Sequence, residues 1–454
     1  MRTREGRFKG ENWLREDPKH SAKRLPRPLV CPCRMLAPRR PLRVLFLNDT
    51  ARNGGPGRSL YTLLSKLDPA EIYRAVVLPR PGPVSELLEG VCETIAFEPS
   101  FVENPIEPLR RPMRREDLDA PLPLRTVRAA GNVVRMGRSM TSLSRIVLRG
   151  SFDLVYCNGT TADFAGASLG LLTGTPVLWH VRYTHVPEGI ADVHARLAAS
   201  RTVKRIVCVS RAAAKLFGHV RDKVAVVHNA VDTRELAPDA VSRGEMRREL
   251  SLPDDAFVFG AHGRVLPRKG FVEWLRAARV ALDAMTPDER ERVFFVIVGD
   301  TPEDIGADHV AECRDLARTL GIERHVRFLG FRADVRPCLR DFDVEVVPSV
   351  YEDPLPRAVI EAMAFGVPVI GTNVGGIGEM LEGGGGILVS ARDEAALSDA
   401  MLRYLRDGAL RVRDGKIARE RACAEFDATA HAARIREQIG IAVFGESSHE
   451  RARP

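Results

Sequence analysis

Asp353 and Glu361 stand eight residues apart in PSVYEDPLPRAVIEAMAFGVPVIGTNVGGIGEM, with Glu352 directly before the first of them. With one carboxylate at a loop mouth and one on the following helix, both can face the same crevice. About ninety residues upstream, AHGRVLPRKG carries Arg264, Arg268 and Lys269 in a short loop. An arginine fork and a lysine point charge held at one strand end can neutralise a phosphate ester. Each signal alone has an ordinary reading: Glu361 as a solvated helix carboxylate, Asp353 as a capping group, the cations as surface charge.

The elements expected around these residues place them together. DVEVVPS (343–349) is a β-branched run stopped by proline, so it reads as a buried strand ending in a loop that holds Glu352 and Asp353. Pro356 suits the first turn of a helix and Gly366 the position just past its end, which predicts a helix over 357–365. PVIGTN then reads as a second strand, with Gly375 and Gly376 at its carboxyl end. FVFGAH reads as the strand before the cationic loop. In an open parallel sheet, ligands sit outside the carboxyl ends of the strands, where all three loops fall.

The amino-terminal half repeats the alternation. RVLFLN (43–48) is a buried-strand run followed by NGGPGRSLYTLLSKL, a glycine loop opening into a helix. That arrangement presents backbone N–H groups to an anion. Gly54, Gly55 and Gly57 do not make the dinucleotide fingerprint, and a structural turn is an equal reading of the loop. TPVLWHV, RIVCVS and VAVVHNAVD continue the strand series expected of a doubly wound parallel sheet. His180 ends the first of these, followed by Arg182. A lone histidine there is as readily a hydrogen-bonded structural group as a functional one.

Together these stretches resemble family 4 of the retaining glycosyltransferases. The resemblance rests on the acid, seven residues and Glu pattern of Asp353 and Glu361 before EAMAFGVPV, on the GGIGE loop, on GRVLPRKG with Arg264 and Lys269, and on HNAVD at the domain crossover. It covers residues 41–440. Departures are Asp353 for the usual glutamate, Leu355-Pro356 for Phe-Gly, and Ala230 for glycine. The resemblance implies the GT-B fold: α/β, two Rossmann-like doubly wound parallel-sheet domains facing across a cleft. It implies catalytic roles for His180, Arg264, Lys269 and Asp353. It implies donor contacts from Gly55, Gly57, Arg58, Arg264, Lys269, Glu352, Asp353, Glu361, Gly375 and Gly376, with Glu361 on the ribose and Asp353 or Glu352 on the hexose.

On this basis the chain divides into a basic disordered tail (1–40), an acceptor-side domain (41–238), a linker (239–255) and a nucleotide-sugar-binding domain (256–420). A last helix (421–445) is implied to return to the first domain. The expected activity is transfer of a hexose-type sugar, with retention, from a nucleotide-diphosphate sugar to an unknown acceptor such as a glycan or lipid-linked glycan of the cell envelope. The alternative is a nucleotide-sugar-binding protein of the same fold with little or no catalysis. The leaving diphosphate would be neutralised by protein cations, so no metal and no cofactor are expected beyond the nucleotide sugar itself.

Composition narrows the partners. The net charge is +8, and residues 1–40 hold twelve Lys/Arg against four Asp/Glu, also +8. The body is balanced, so its charge gives no case for nucleic-acid binding. Residues 110–149 hold ten arginines and three acids among spaced apolar residues, a pattern that permits contact with an anionic membrane but better suits a helix with an arginine-rich solvated face. The eight cysteines are scattered, several within expected strands, which points to a reducing cytoplasm. Cys31 and Cys33 lack a second pair at zinc spacing, no secretory signal pattern is present at the start, and no apolar run reaches about 18 residues. Residues 1–34 read as an upstream extension of little consequence, and the expected location is cytoplasmic, at most peripheral on the inner membrane face.

Overall fold

The computed structural model describes residues 40–52, 54–102, 122–302 and 308–446. The tail expected over 1–40, apart from Arg40, and the amino-terminal part of the arginine-rich run lie outside the described residues. From Arg40 onward the chain forms one compact unit containing two parallel sheets.

The first sheet contains β1 (Leu42–Asn48), β2 (Ile72–Leu78), β3 (Thr94–Phe97), β4 (Leu154–Asn158), β5 (Val177–Val181), β6 (Val203–Cys208) and β7 (Val224–Val226). Its order is β3-β2-β1-β4-β5-β6-β7, all parallel. The second contains β8 (Phe257–His262), β9 (Val293–Val298), β10 (Val326–Phe328), β11 (Val344–Val347), β12 (Val369–Thr372) and β13 (Gly386–Val389) in the order β10-β9-β8-β11-β12-β13, again all parallel. Strand order reverses beside β1 and beside β8, and a crevice opens at each such switch point.

Helices cover both faces of each sheet, which is why the central strands read as nearly continuous apolar runs. The period of two is still visible in the packing. In β1, Leu45 and Leu47 enter one core layer while Val44 and Phe46 enter the other. In β9, Val293, Phe295 and Ile297 face one layer and Phe294, Val296 and Val298 the opposite one.

The chain passes between lobes twice, and the two passages touch. The Val231 N–H donates to Phe426 O at 3.0 Å, and the Ala428 N–H donates to Val231 O at 2.9 Å. After the second passage the helix Ala428–Phe444 lies on the first lobe, where Ala432, Ile435, Ile439 and Ala442 share a core layer with Val44, Phe46 and Leu178. Asp427 caps this helix by accepting from the Thr429 and Ala430 N–H groups.

Two helices differ slightly from their sequence readings. The one expected over 357–365 is Arg357–Ala364, because Phe365 is the cap residue before Gly366 turns left-handed at φ +69°. Within the arginine-rich run, the helix Leu122–Gly150 carries six arginines and no acid.

Candidate active site

At the carboxyl edge of the second sheet, loops after β8, β11 and β12 meet because two glycines let their backbones touch. Gly270 has φ +76°, and a Cβ there would lie 1.8 Å from Pro348 O. The loop after β8 is thereby pressed onto the loop after β11, and the Lys269 ammonium pairs with Asp353 Oδ2. Gly375 has φ +54°, and a Cβ would lie 2.0 Å from Asp353 O. The Gly376 N–H donates to that same carbonyl at 2.8 Å. Lys269, Asp353, Gly375 and Gly376 thus form one cluster.

Tyr351 supplies its floor, with the Arg268 guanidinium 5.1 Å and the Lys269 ammonium 5.6 Å from the ring centroid. Arg264 stands beside them with an accessible side chain. Desolvation by the surrounding protein, then Arg268, lower its guanidinium pKa, and Asp353 pulls the other way. Glu352 is exposed, and its carbonyl accepts the Thr184 hydroxyl at 2.5 Å, whereas the Asp353 side chain is almost fully buried.

Glu361 lies in the helix Arg357–Ala364 and belongs to a second, buried cluster. Its Oε1 accepts from Arg357 Nε at 3.0 Å and from a terminal guanidinium nitrogen at 2.9 Å; its Oε2 lies 2.9 Å from His262 Nε2. His262 Nδ1 lies 2.8 Å from Glu345 Oε1, which also accepts the His262 N–H at 3.1 Å. Burial alone would push the imidazole pKa down, but Glu345 and Glu361 outweigh it and raise the value to about 10. Burial would likewise raise Glu361, yet Arg357 and His262 bring it down to about 2. Glu345 is raised by its own burial, and its Oε2 has no partner among the described residues. Two cations and two carboxylates close to neutrality, which is how buried charge is tolerated.

The first lobe contributes a different edge. Gly55 and Gly57 occupy the first turn of the helix Gly55–Leu64, and Arg58 on its next turn reaches across to Ala333 O at 2.9 Å. Arg58 also lies close enough for its charge to lower Glu361. His180, at the end of β5, is fully buried. Its Nδ1 bonds the Tyr156 hydroxyl and lies 3.3 Å from an Arg182 nitrogen, its ring centroid is 6.1 Å from that of His431, and its Nε2 has no partner among the described residues. Burial, then Arg182, hold its pKa well below normal, so the ring is neutral. Arg182 is tied to Asn158 at 2.6 Å and to Asn229, whose amide donates to Leu355 O in the second lobe at 3.2 Å.

Of the sequence-predicted residues, the structure joins Lys269, Asp353, Gly375 and Gly376, with Arg264 alongside, while Arg58 bonds Ala333 O and acts on Glu361 only through its charge. His180 instead contacts Tyr156, Arg182 and His431 beneath the surface. Sequence reasoning passed over His262, Glu345 and Arg357. His262 has the same signal as His180, a histidine at a strand's carboxyl end, and Glu345 is a lone charge inside the apolar run DVEVVPS. Arg357 sits four residues before Glu361, one helical turn away. Among the described residues, no three of His, Cys, Asp and Glu converge to hold a metal ion, and no helix is long and apolar enough to cross a membrane.

This geometry suits an anionic ligand with hydroxyl groups: cations and glycine backbone on one side, buried carboxylates on the other. Residues 256–407 match the family model described as glycosyl transferases group 1, and residues 53–235 match that of glycosyltransferase family 4. The chain is 24% identical to the UDP-Gal:alpha-D-GlcNAc-diphosphoundecaprenol alpha-1,3-galactosyltransferase of Escherichia coli, over 62% of this chain and 73% of that one. It is 31% identical to the D-inositol 3-phosphate glycosyltransferase of Streptomyces avermitilis over 62% and 64%, and 36% identical to that of Stackebrandtia nassauensis over 42% and 43%. The match thus spans under two thirds of the length of both inositol phosphate enzymes. Among solved structures, Anabaena HepE in complex with UDP-glucose superposes with a TM-score of 0.71 at 23% identity, covering 88% of this chain and 99% of that one. WaaG, a glycosyltransferase involved in lipopolysaccharide biosynthesis, gives 0.60 at 14% identity, covering 87% and 99%.

Proposed function

The chain belongs to glycosyltransferase family 4 and has the GT-B fold, and from that premise we propose that it moves a hexose from a nucleotide-diphosphate sugar to a glycan or lipid-linked glycan, with retention of anomeric configuration. One observation carries this reading: Arg264, Lys269, Asp353 and the Gly375-Gly376 loop converge at the carboxyl edge of the second sheet. Breaking the sugar–phosphate bond leaves negative charge on the departing diphosphate, and stabilising that charge is the main catalytic task. Arg264 and Lys269 neutralise it. Lys269 then exchanges part of its pairing with Asp353 for phosphate oxygens, which frees Asp353 to accept from a hexose hydroxyl. Asp353, buried and already paired, takes this role in preference to the exposed Glu352. Glu361 accepts from the ribose hydroxyls through the oxygen lone pairs that Arg357 and His262 leave open. His180 is assigned to support of the acceptor wall from beneath.

No side chain is assigned as a covalent nucleophile. Because protein cations carry the leaving charge, turnover persists in a chelator. UDP is the favoured donor nucleotide, since the Escherichia coli relative is named for UDP-Gal and the Anabaena protein was solved with UDP-glucose. The helix Leu122–Gly150, with exposed Val127, Val133, Val134 and Leu148 among its arginines, supports peripheral contact with the anionic inner face of the membrane. Co-sedimentation with anionic but not neutral vesicles checks that contact.

The deciding experiment is a thermal-shift panel of UDP, GDP and ADP sugars, followed by a donor-turnover assay with and without EDTA. Stabilisation by one donor class with EDTA-resistant turnover supports the reading. Stabilisation without hydrolysis or transfer across acceptors would make this a nucleotide-sugar-binding protein instead.

A further inference from the structure

The guanidinium of Arg357 touches the buried Glu361 carboxylate and also reaches the first lobe. Two of its nitrogens hold Glu361 Oε1, and Nη1 donates to Ala230 O at 3.0 Å in the passage between lobes and lies 3.5 Å from Ser59 Oγ in the helix Gly55–Leu64. Ala230 and Ser59 are both buried. On the far side of Glu361, His262 holds Oε2, and its other bonds among the described residues go to Glu345 of its own lobe. The two clamps on one carboxylate therefore differ in what else they grip.

We propose that Arg357 is a positioning residue that couples occupancy of the donor site to engagement of the two lobes, while His262 fixes the Glu361 side chain without taking part in that coupling. A planar fork can serve both tasks at once: Nε and one terminal nitrogen meet the carboxylate, and the other terminal nitrogen points away from it toward Ala230. Any ligand that draws on Glu361 then alters the geometry at the crossover, and separating the lobes loosens the carboxylate. The inference rests on Glu361 being a donor contact, but the tie to Ala230 and Ser59 is a property of the folded chain and can be read without any donor.

Two substitutions separate the clamps. Arg357→Gln removes the fork, and His262→Gln keeps an amide donor on the other oxygen. Hydrogen exchange followed by mass spectrometry, on the unliganded full chain, should show faster exchange in 55–64 and 228–232 for Arg357→Gln and not for His262→Gln. With UDP-glucose and GDP-mannose as donor probes, Arg357→Gln should lower kcat and raise donor KM together, for a loss of about tenfold or more in kcat/KM. His262→Gln should raise donor KM by a larger factor than it lowers kcat. Arg357→Lys, which keeps the charge but not the fork, should restore thermal stability without restoring kcat. Equal exchange in both variants, or full recovery by Arg357→Lys, overturns the coupling. If wild type turns over neither donor but the exchange difference is present, the proposed function fails while the interlobe tie stands.

Discussion

His180 and His262 lie at the carboxyl ends of strands in the two sheets, yet one is held neutral and the other protonated. Around His180 and its neighbour His431 the first lobe supplies Tyr156, Arg182 and backbone, with no carboxylate bonded to either ring among the described residues; burial, followed by Arg182, holds His431 down to about 3. Around His262 the second lobe supplies Glu345 and Glu361, and the ring is held protonated. Burial is nearly complete in both places. The choice of counter-charge therefore decides whether a strand-end histidine is a neutral packing group or part of an ionic clamp, and it separates a lobe that presents fixed polar walls from one that presents exchangeable charge.

The largest expected effect tests whether function follows this asymmetry. Lys269→Ala and Glu361→Ala should each lower donor turnover at least tenfold in kcat/KM, about 1.4 kcal/mol or more, measured by steady-state kinetics. Wild-type rates in both would dissolve the distinction between the lobes. Of comparable size but in stability, Ile439→Ala should cost about 2–5 kcal/mol in chemical denaturation, because Ile439 is fully buried in the first lobe's core.

Next comes pH. The folded pKa of His262 is about 10, above its unfolded value, so its stabilisation is complete below about 6.5 and drains away as pH rises toward 10. His431 has a folded value of about 3, below the unfolded one, so the folded state loses stability as pH falls from about 6.5 toward 3. His262→Gln should flatten the alkaline limb of a melting-temperature profile and His431→Leu the acid limb. Exchanged limbs would mean that the charge assignments are reversed. The smallest effect is a control. Arg436 pairs with Glu71 at 2.7 Å on an exposed surface, and Arg436→Ala should cost no more than about 1 kcal/mol, since the apolar face holds the final helix in place.

The second lobe was the more readable of the two in sequence. Its cations and acids lie beside prolines and glycines at strand ends, where local chemistry and topology agree, so Lys269 and Asp353 could be set at one sheet edge, with the family resemblance tipping the reading toward a ligand site. Glu345 escaped because a single charge in a β-branched run does not disturb the strand pattern; only the partner on β8 explains it. Arg357 escaped because helical spacing accounts for its bond to Glu361 but says nothing of Ala230, 127 positions earlier. In the first lobe, His180 had position without partners, and a strand-end location does not disclose burial. The docking of Ala428–Phe444 on that lobe leaves no local trace either, since its apolar spacing would suit any core.

That docking also bears on how the protein is made. The first lobe's core layer stays open on one side until Ile435 and Ile439 arrive, after the whole second lobe has emerged from the ribosome. About 200 residues separate β7 from this helix, so at about 5–20 residues per second an apolar face waits on the order of ten seconds or longer for its cover. Chaperone demand during synthesis should therefore concentrate on the half of the molecule translated first, and shortening the message before codon 428 should yield an aggregating fragment rather than a usable lobe.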